Sequence, residues 1–186
     1  RPAISKVYIV DPVNYRQAQD LAARIRQQLQ DDFGVDASSV EFIAEESAEK
    51  VVRDSDAAIT VTRATKPVIM KEWVKPGTHF SCLGSDMEGK EEIDENLFAG
   101  AKIYADDRAQ CIRVGEMEIP IKKGVIAEEN ITGEIGDLLS GNVPGRENDQ
   151  DITIFDATGL YILDLVAAKV AITKAKDAGM GLDVDM

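Results

Sequence analysis

Residues 6–30, Lys6-Val7-Tyr8-Ile9-Val10-Asp11-Pro12 leading into NYRQAQDLAARIRQQLQ over 14–30, decide the fold of this chain. A short β-branched run closed by Asp11 and Pro12 reads as a buried parallel strand that ends at the carboxyl edge of a sheet. Beyond it, Ala18, Leu21, Ile25 and Leu29 recur at three-to-four spacing among polar residues, which is the pattern of an amphipathic helix, and Gly34 falls just past its end.

The same alternation continues outward. Val40-Glu41-Phe42-Ile43 reads as a second strand, and residues 45–54, with Ala48, Val51 and Val52, as a short helix. Residues 57–62 form a third strand, Trp73 lies in a loop, Lys75-Pro76-Gly77 makes a turn, and residues 78–83 form a strand running straight into Gly84. A short helix over 94–99 precedes a strand over 102–105. The pattern then loosens into a short strand over 124–126, a helix over 133–139 and a loop over 141–146. Residues 152–156 give the last strand, and Ala157-Thr158-Gly159 leads into a helix over 160–178 carrying Ile162, Leu165, Val166, Val170 and Ile172. Strands separated by helices predict an α/β fold: a doubly wound, mostly parallel sheet with helices on both faces.

Composition narrows the function. A hydrophobic content of 44% with only 5% aromatics suits an aliphatic core in a chain of 186 residues. A net charge of −13 leaves no basic stripe for phosphates, so nucleic acid is excluded as a partner and a small molecule is favoured. No apolar run reaches the roughly 20 residues that cross a bilayer, and no signal peptide is recognisable, so we expect no membrane association and a cytoplasmic location. Cys82 and Cys111 are widely spaced and lie in no CxxC or histidine cluster, which predicts reduced core thiols and no metal site. His79, inside an apolar strand, reads as a packed, hydrogen-bonded residue. The chain opens at Arg1 without methionine and starts a strand almost at once, from which we expect a segment of a longer protein.

Ligands of doubly wound sheets bind outside the carboxyl ends of the strands. Asp11, Thr60 to Thr62, Gly84 to Asp86 and Asp156 to Gly159 all fall at such ends. An acidic residue ending a strand can bond the ribose hydroxyls of NAD and repel the extra phosphate of NADP, and Asp11 suits that role. Asp11 also suits a helix cap for residues 13–16, and Arg16 nearby could accept a 2′-phosphate. The glycine-rich loop that normally precedes such an acid by about 20 residues is not in this sequence, which therefore carries a second strand without the first. Leu83-Gly84-Ser85-Asp86-Met87-Glu88-Gly89-Lys90 ends an apolar run with a carboxylate, a lysine four residues on, and flanking glycines. It reads as a proton-handling site approached closely by a ligand, or as an ordinary turn.

Five motifs occur in order across nearly the whole chain. They are Lys75-Pro76-Gly77-Thr78-His79, Leu83-Gly84-Ser85-Asp86 through Lys90, Asp106-Asp107-Arg108, Gly133-Glu134-Ile135-Gly136 with Gly141 and Pro144-Gly145-Arg146, and Ile154-Phe155-Asp156-Ala157-Thr158-Gly159. Together they resemble the ornithine cyclodeaminase/mu-crystallin family. The resemblance implies a Rossmann-type domain that binds NAD rather than NADP and works on the Cα–N bond of a small amino-acid or imino-acid substrate, as a cyclodeaminase, an alanine dehydrogenase or a ketimine reductase. It implies Asp86 as the catalytic carboxylate; Asp11, Thr60, Thr62, Leu83, Gly84, Ser85, Lys90 and Ala157 along the cofactor; and Thr158 where substrate meets nicotinamide. Position 157 holds alanine where many relatives have serine.

By the same resemblance, residues 1–159 are a partial dinucleotide-binding domain, without its first strand and glycine loop. Residues 160–186 are a helix and tail that pack toward an amino-terminal dimerisation and substrate domain. That domain, which would supply the substrate-carboxylate arginine and the homodimer contact, is not in this sequence, so residues 1–186 alone are expected to fold poorly and turn over nothing. Two alternatives stand beside the enzyme: a mu-crystallin-like ligand binder without turnover, and one subunit of a split enzyme whose partner chain supplies the missing half.

Overall fold

The computed structural model describes residues 4–182 and 184. Strands β1 (Lys6–Ile9) and β2 (Glu41–Ala44) pair in parallel, with Val7 beside Phe42 and Ile9 beside Ala44, and helix α1 (Tyr15–Phe33) connects them. Local chemistry sets both ends of that crossover. Asp11 Oδ1 accepts the amides of Val13 and Asn14 at 2.9 and 2.8 Å, turning the chain into the helix after Pro12. At the far end Gly34 takes φ +63° and returns its amide to the Gln30 carbonyl, a left-handed stop open to glycine at little cost.

Helix α2 (Ala48–Asp54), capped by the Ser47 hydroxyl on the Lys50 amide, leads into the rest of the chain. Among the described residues seven strands come after it: β3 (Ala57–Thr60), β4 (Thr65–Ile69), β5 (His79–Cys82), β6 (Glu91–Ile93), β7 (Lys102–Ala105), β8 (Ile131–Glu134) and β9 (Thr153–Asp156). Between and after them lie α3 (Arg108–Val114), α4 (Glu118–Lys122), α5 (Ile135–Leu139) and α6 (Tyr161–Asp177). Five strands make one sheet, all parallel, in the order β3-β5-β9-β7-β8, so the last strand of the chain enters the middle. β4 and β6 pair in parallel beside it. Phe80, Cys82, Ile93, Leu97, Phe98, Ile103, Cys111, Met117 and Ile154 form the buried core. Each large side chain among them contributes about 1.5–3 kcal/mol through burial.

Two features of the strands position the polar groups of the chain. First, four strands end in step: Thr60, Cys82, Asp156 and Ala105 lie side by side across β3, β5, β9 and β7. Second, among the described residues β1 pairs only with β2 and β3 only with β5, so each keeps an open edge. Ile59 and Val61, at the β3 edge, are 71% and 67% exposed. Every strand pairing among the described residues is parallel, as in a doubly wound nucleotide-binding domain.

Several elements differ from the expectation. Residues 124–126 form a turn rather than a strand: Gly124 sits at φ +71°, and the amides of Val125 and Ile126 both return to the Pro120 carbonyl. Gly133 belongs to β8 rather than to a helix, and a Cβ there would come within 3.0 Å of Val143. Trp73 ends a 3₁₀ turn over Lys71–Trp73 and packs partly buried against the core. Strands β4 and β6 and helices α3 and α4 were not anticipated. Helix α6 buries none of its residues: Tyr161, Leu163, Leu165 and Val166 are all more than half exposed.

Candidate functional site

The segment from Leu83 to Lys90 leaves β5 at the shared strand edge and is closed on itself by its own polar groups. The Lys90 ammonium donates to the Gly84 carbonyl at 3.0 Å and pairs with Asp86 Oδ1 at 2.5 Å. Ser85, fully buried, donates its hydroxyl to the Lys90 carbonyl at 3.1 Å. The Asp86 side chain remains 53% exposed, and hydrogen bonding to Lys90 holds its carboxyl below the usual aspartate range. Leu83 is also exposed, at 42%. Asp86 and Lys90 are thus brought together, with the carboxylate facing outward and the lysine mostly covered.

Both ends of this loop are anchored by buried glutamates that sequence reasoning missed. At its start, Glu92, 0% exposed, accepts three donors: the Gly84 amide at 2.9 Å, the Thr60 hydroxyl at 2.6 Å and the Thr62 amide at 2.5 Å. At its end, Glu118 accepts the Gly89 amide at 2.9 Å and is bridged by Lys122 to Glu88. The one available signal for Glu92 was a pair of acids, Glu91-Glu92, directly before the apolar Ile93. Thr60 therefore points its hydroxyl into the protein, and Thr62 uses its hydroxyl to accept the Ala64 amide at 3.1 Å. The glycine at 84 has a different cause from the one expected. A Cβ there would lie 2.4 Å from Glu92 Oε1 and 2.5 Å from the Thr62 carbonyl, so the close approach is made by the protein itself.

Two more buried acids continue the line of anchors. Glu116 Oε1 accepts the amides of Glu92 and Ile93 at 2.6 and 2.7 Å. Asp156 Oδ2 accepts the Met117 amide at 3.0 Å. Burial raises both, Glu116 to about 8 and Asp156 to about 7, and among the described residues the second oxygen of each has no hydrogen-bond partner. After Asp156, Ala157 donates its amide to the Cys82 carbonyl, and Asp106 takes the Gly159 amide at 2.8 Å and faces the Thr158 hydroxyl at 3.5 Å. Ala157 and Thr158 thus leave the same edge as Leu83 and Thr62.

Asp11 stands on the other sheet, at the end of β1, where Oδ1 makes the two cap bonds and Oδ2 makes neither. The ladder does not join it to the rest of the site. His79 contacts Thr153 at 2.7 Å and Ser81 at 3.2 Å, half-buried and with its pKa lowered by burial. Cys82 and Cys111 are buried free thiols, both pushed up by burial. Among the described residues no three His, Cys, Asp or Glu side chains are grouped to hold a metal ion, and no helix is long and apolar enough to cross a membrane. A hollow of about 380 Å³, lined by Lys71, Leu97, Gln150 and Ile152 among others, opens at the amino ends of β7 and β9, away from this edge.

Comparison with known proteins identifies relatives of this chain in sequence and in fold. The chain is 36% identical over 179 residues to an alanine dehydrogenase of Archaeoglobus fulgidus, covering 96% of this chain and 53% of the relative. It is 37% identical over 133 residues to an iminosuccinate reductase of Paracoccus denitrificans, covering 72% and 41%. Among solved structures, an archaeal alanine dehydrogenase dimer with bound NAD superposes with a TM-score of 0.83 at 34% identity, over 98% of this chain and 53% of that one. A Thermococcus litoralis Δ1-pyrroline-2-carboxylate reductase in complex with NADH and L-proline gives 0.83 at 30% identity, over 97% and 53%. The chain spans about half the length of these relatives. The model of the ornithine cyclodeaminase/mu-crystallin family matches residues 4–179, and the chain belongs to that family.

Proposed function

We propose that this chain is the nucleotide-binding part of an NAD-dependent oxidoreductase acting on the Cα–N bond of an amino or imino acid. The observation that carries the reading is the Asp86–Lys90 pair at the common edge of β3, β5 and β9, in a chain whose relatives include an alanine dehydrogenase and two imine-reducing enzymes. The groups present fit a nicotinamide dinucleotide. Asp11 ends its strand with one oxygen outside the cap bonds, which suits a ribose hydroxyl, and the exposed Leu83 and Asp86 with the half-buried Ala157 and Thr158 suit the nicotinamide end.

When bound, the nicotinamide supplies or accepts the hydride at the substrate Cα. Asp86 would then handle the proton: in the oxidative direction it takes one from the substrate nitrogen or from water, and in the reductive direction it relays one from water to the nitrogen. Its depressed pKa keeps it ionised near neutrality, so it also stabilises the cationic iminium that develops beside it. Thr158 would stand where substrate and nicotinamide meet, and Lys90 keeps Asp86 charged and oriented.

The open edges of β1 and β3 and the uncovered apolar surface of α6 support a further part of this reading. A strand from outside these residues pairs between β1 and β3 and brings the phosphate-holding glycine loop. A substrate and dimerisation domain, from the same protein or from a partner chain, covers α6. Residues 160–182 then belong with that domain rather than with the sheet. The test is to titrate the complete protein with NADH and NADPH, and to follow NADH formation or consumption with alanine, proline and their imines for wild type and Asp86→Asn. Preferential NADH binding with turnover lowered about a hundredfold, and still measurable, in Asp86→Asn supports the reading. Full activity in Asp86→Asn, or a clear preference for NADPH, would sink it.

A further inference from the structure

Glu92 is a fully buried carboxylate with both oxygens engaged and, among the described residues, no lysine or arginine as a hydrogen-bond partner. Those partners are instead one hydroxyl and two main-chain amides, drawn from the ends of β3 and β5 and the first residues beyond them. A buried charge is tolerated only when its hydrogen bonds are complete, and charge-assisted bonds to amides are stronger than neutral ones. Glu92 is itself fixed from behind, because Glu116 Oε1 receives the Glu92 and Ile93 amides together. Gly84 leaves no room for a side chain in this arrangement, since a Cβ there would collide with Glu92 and the Thr62 carbonyl. The other face of Gly84, its carbonyl, is the group on which Lys90 rests while it holds Asp86. A continuous series of contacts therefore runs from Glu116 through Glu92, Gly84 and Lys90 to the Asp86 carboxylate.

We propose that Glu92 is the positioning residue of the Asp86 loop: its carboxylate clamps the Thr62 and Gly84 amides together and so sets where Lys90 holds Asp86. The proposal rests on the oxidoreductase reading for its effect on turnover, but the clamp itself belongs to the protein without cofactor. Glutamine keeps the shape yet cannot replace it. Whichever carboxylate oxygen becomes the amide nitrogen, its hydrogens meet the Gly84 or the Thr62 amide hydrogen. Aspartate keeps the charge but shortens the reach by one carbon.

The test has two arms in the complete protein. Without cofactor, hydrogen exchange is measured for peptides covering 60–64, 83–90 and, as a control, 102–105. Glu92→Gln is expected to speed exchange about tenfold or more in the first two and to leave the control unchanged. With cofactor and substrate, Glu92→Gln is combined with Asp86→Asn. The single substitution is expected to lower kcat about tenfold or more, while in the Asp86→Asn background the same change costs under about twofold, because two residues that act as a unit are not additive. If Glu92→Gln does not fold, Thr60→Val removes a single donor from the clamp and is expected to give the same pattern at smaller size. Unchanged exchange at 83–90 in whichever variant folds, or equal kcat losses in both backgrounds, overturns the proposal. If wild type neither binds NADH nor turns over, the functional reading fails, and the exchange arm still decides the clamp.

Discussion

Lys90 and Asp86 form one half of a bridge whose other half is backbone: the ammonium lies 2.5 Å from the Asp86 carboxylate and 3.0 Å from the carbonyl of Gly84, the residue whose amide Glu92 holds. A lysine used this way both orients the carboxylate and keeps it ionised. Linkage gives the sign. Asp86 has a lowered folded pKa, so its contribution is present above the unfolded value near 4 and fades as pH falls through the lower folded one. We expect Lys90→Met to move the Asp86 titration up toward the ordinary aspartate range and, in the complete protein, to shift the acidic limb of the pH–rate profile the same way. The stability cost should stay within about 1 kcal/mol, because the carboxylate is half exposed. Carboxyl titration by NMR checks it, and an unmoved Asp86 refutes it.

Asp156 and Glu116 should make stability fall with rising pH. Both are buried and raised, to about 7 and about 8, so the folded protein holds protons there that the unfolded chain has released above about pH 4. Stability from these two groups is therefore complete below about pH 4 and is lost progressively between there and about pH 8. Asp156→Asn keeps an acceptor for the Met117 amide and removes the titration. Thermal melts from about pH 5 to 8 should show a flatter slope for Asp156→Asn, with a relative gain at the upper end of the order of 2 kcal/mol. A slope identical to wild type counts against it.

Gly84 and Gly89 should respond very differently to alanine. At Gly84 the new methyl carbon meets Glu92 and the Thr62 carbonyl at 2.4 and 2.5 Å, so Gly84→Ala is expected to cost about 2–3 kcal/mol and to disturb both loops. At Gly89 the space is open and the only penalty is the left-handed φ of +80°, about 1 kcal/mol. Denaturant titrations of the two variants rank them directly. Equal costs would mean that the Glu92 contact yields easily.

Asp11 has two readings that one substitution separates. Asn at this position can still accept the Val13 and Asn14 amides, so the melting temperature of Asp11→Asn should change little. Loss of the carboxylate should, by contrast, weaken NADH binding by about tenfold and narrow the gap to NADPH. Unchanged NADH binding and unchanged selectivity in Asp11→Asn assign Asp11 to the cap alone.

Legibility in the sequence depended on distance along the chain. The strand–helix–strand unit at the start was legible because its apolar periodicity and its stops, Asp11 and Gly34, are local. The Asp86 loop was legible for the same reason. β4 and β6 were hidden by composition: Lys66 and Pro67 interrupt one, and Glu91 and Glu92 begin the other, residues that seldom mark a strand. Glu92 was illegible because its partners Thr60 and Thr62 lie 32 and 30 residues away, and only folding brings their hydroxyl and amide donors to it. Gly124 to Ile126 misled because two β-branched residues after a glycine also fit a turn that folds back on Pro120.

The in-step ending of β3, β5, β9 and β7 sets where this domain can tolerate a change of length. One residue inserted within β3, β5, β9 or β7 would turn every later side chain of that strand, through Thr60, Cys82, Asp156 or Ala105, to the opposite face of the sheet. The same insertion a few residues later, beyond the clamped amides, would merely lengthen a loop. Adaptation to a new substrate by insertion or deletion thus has a sharp boundary, and it runs along that row of four residues.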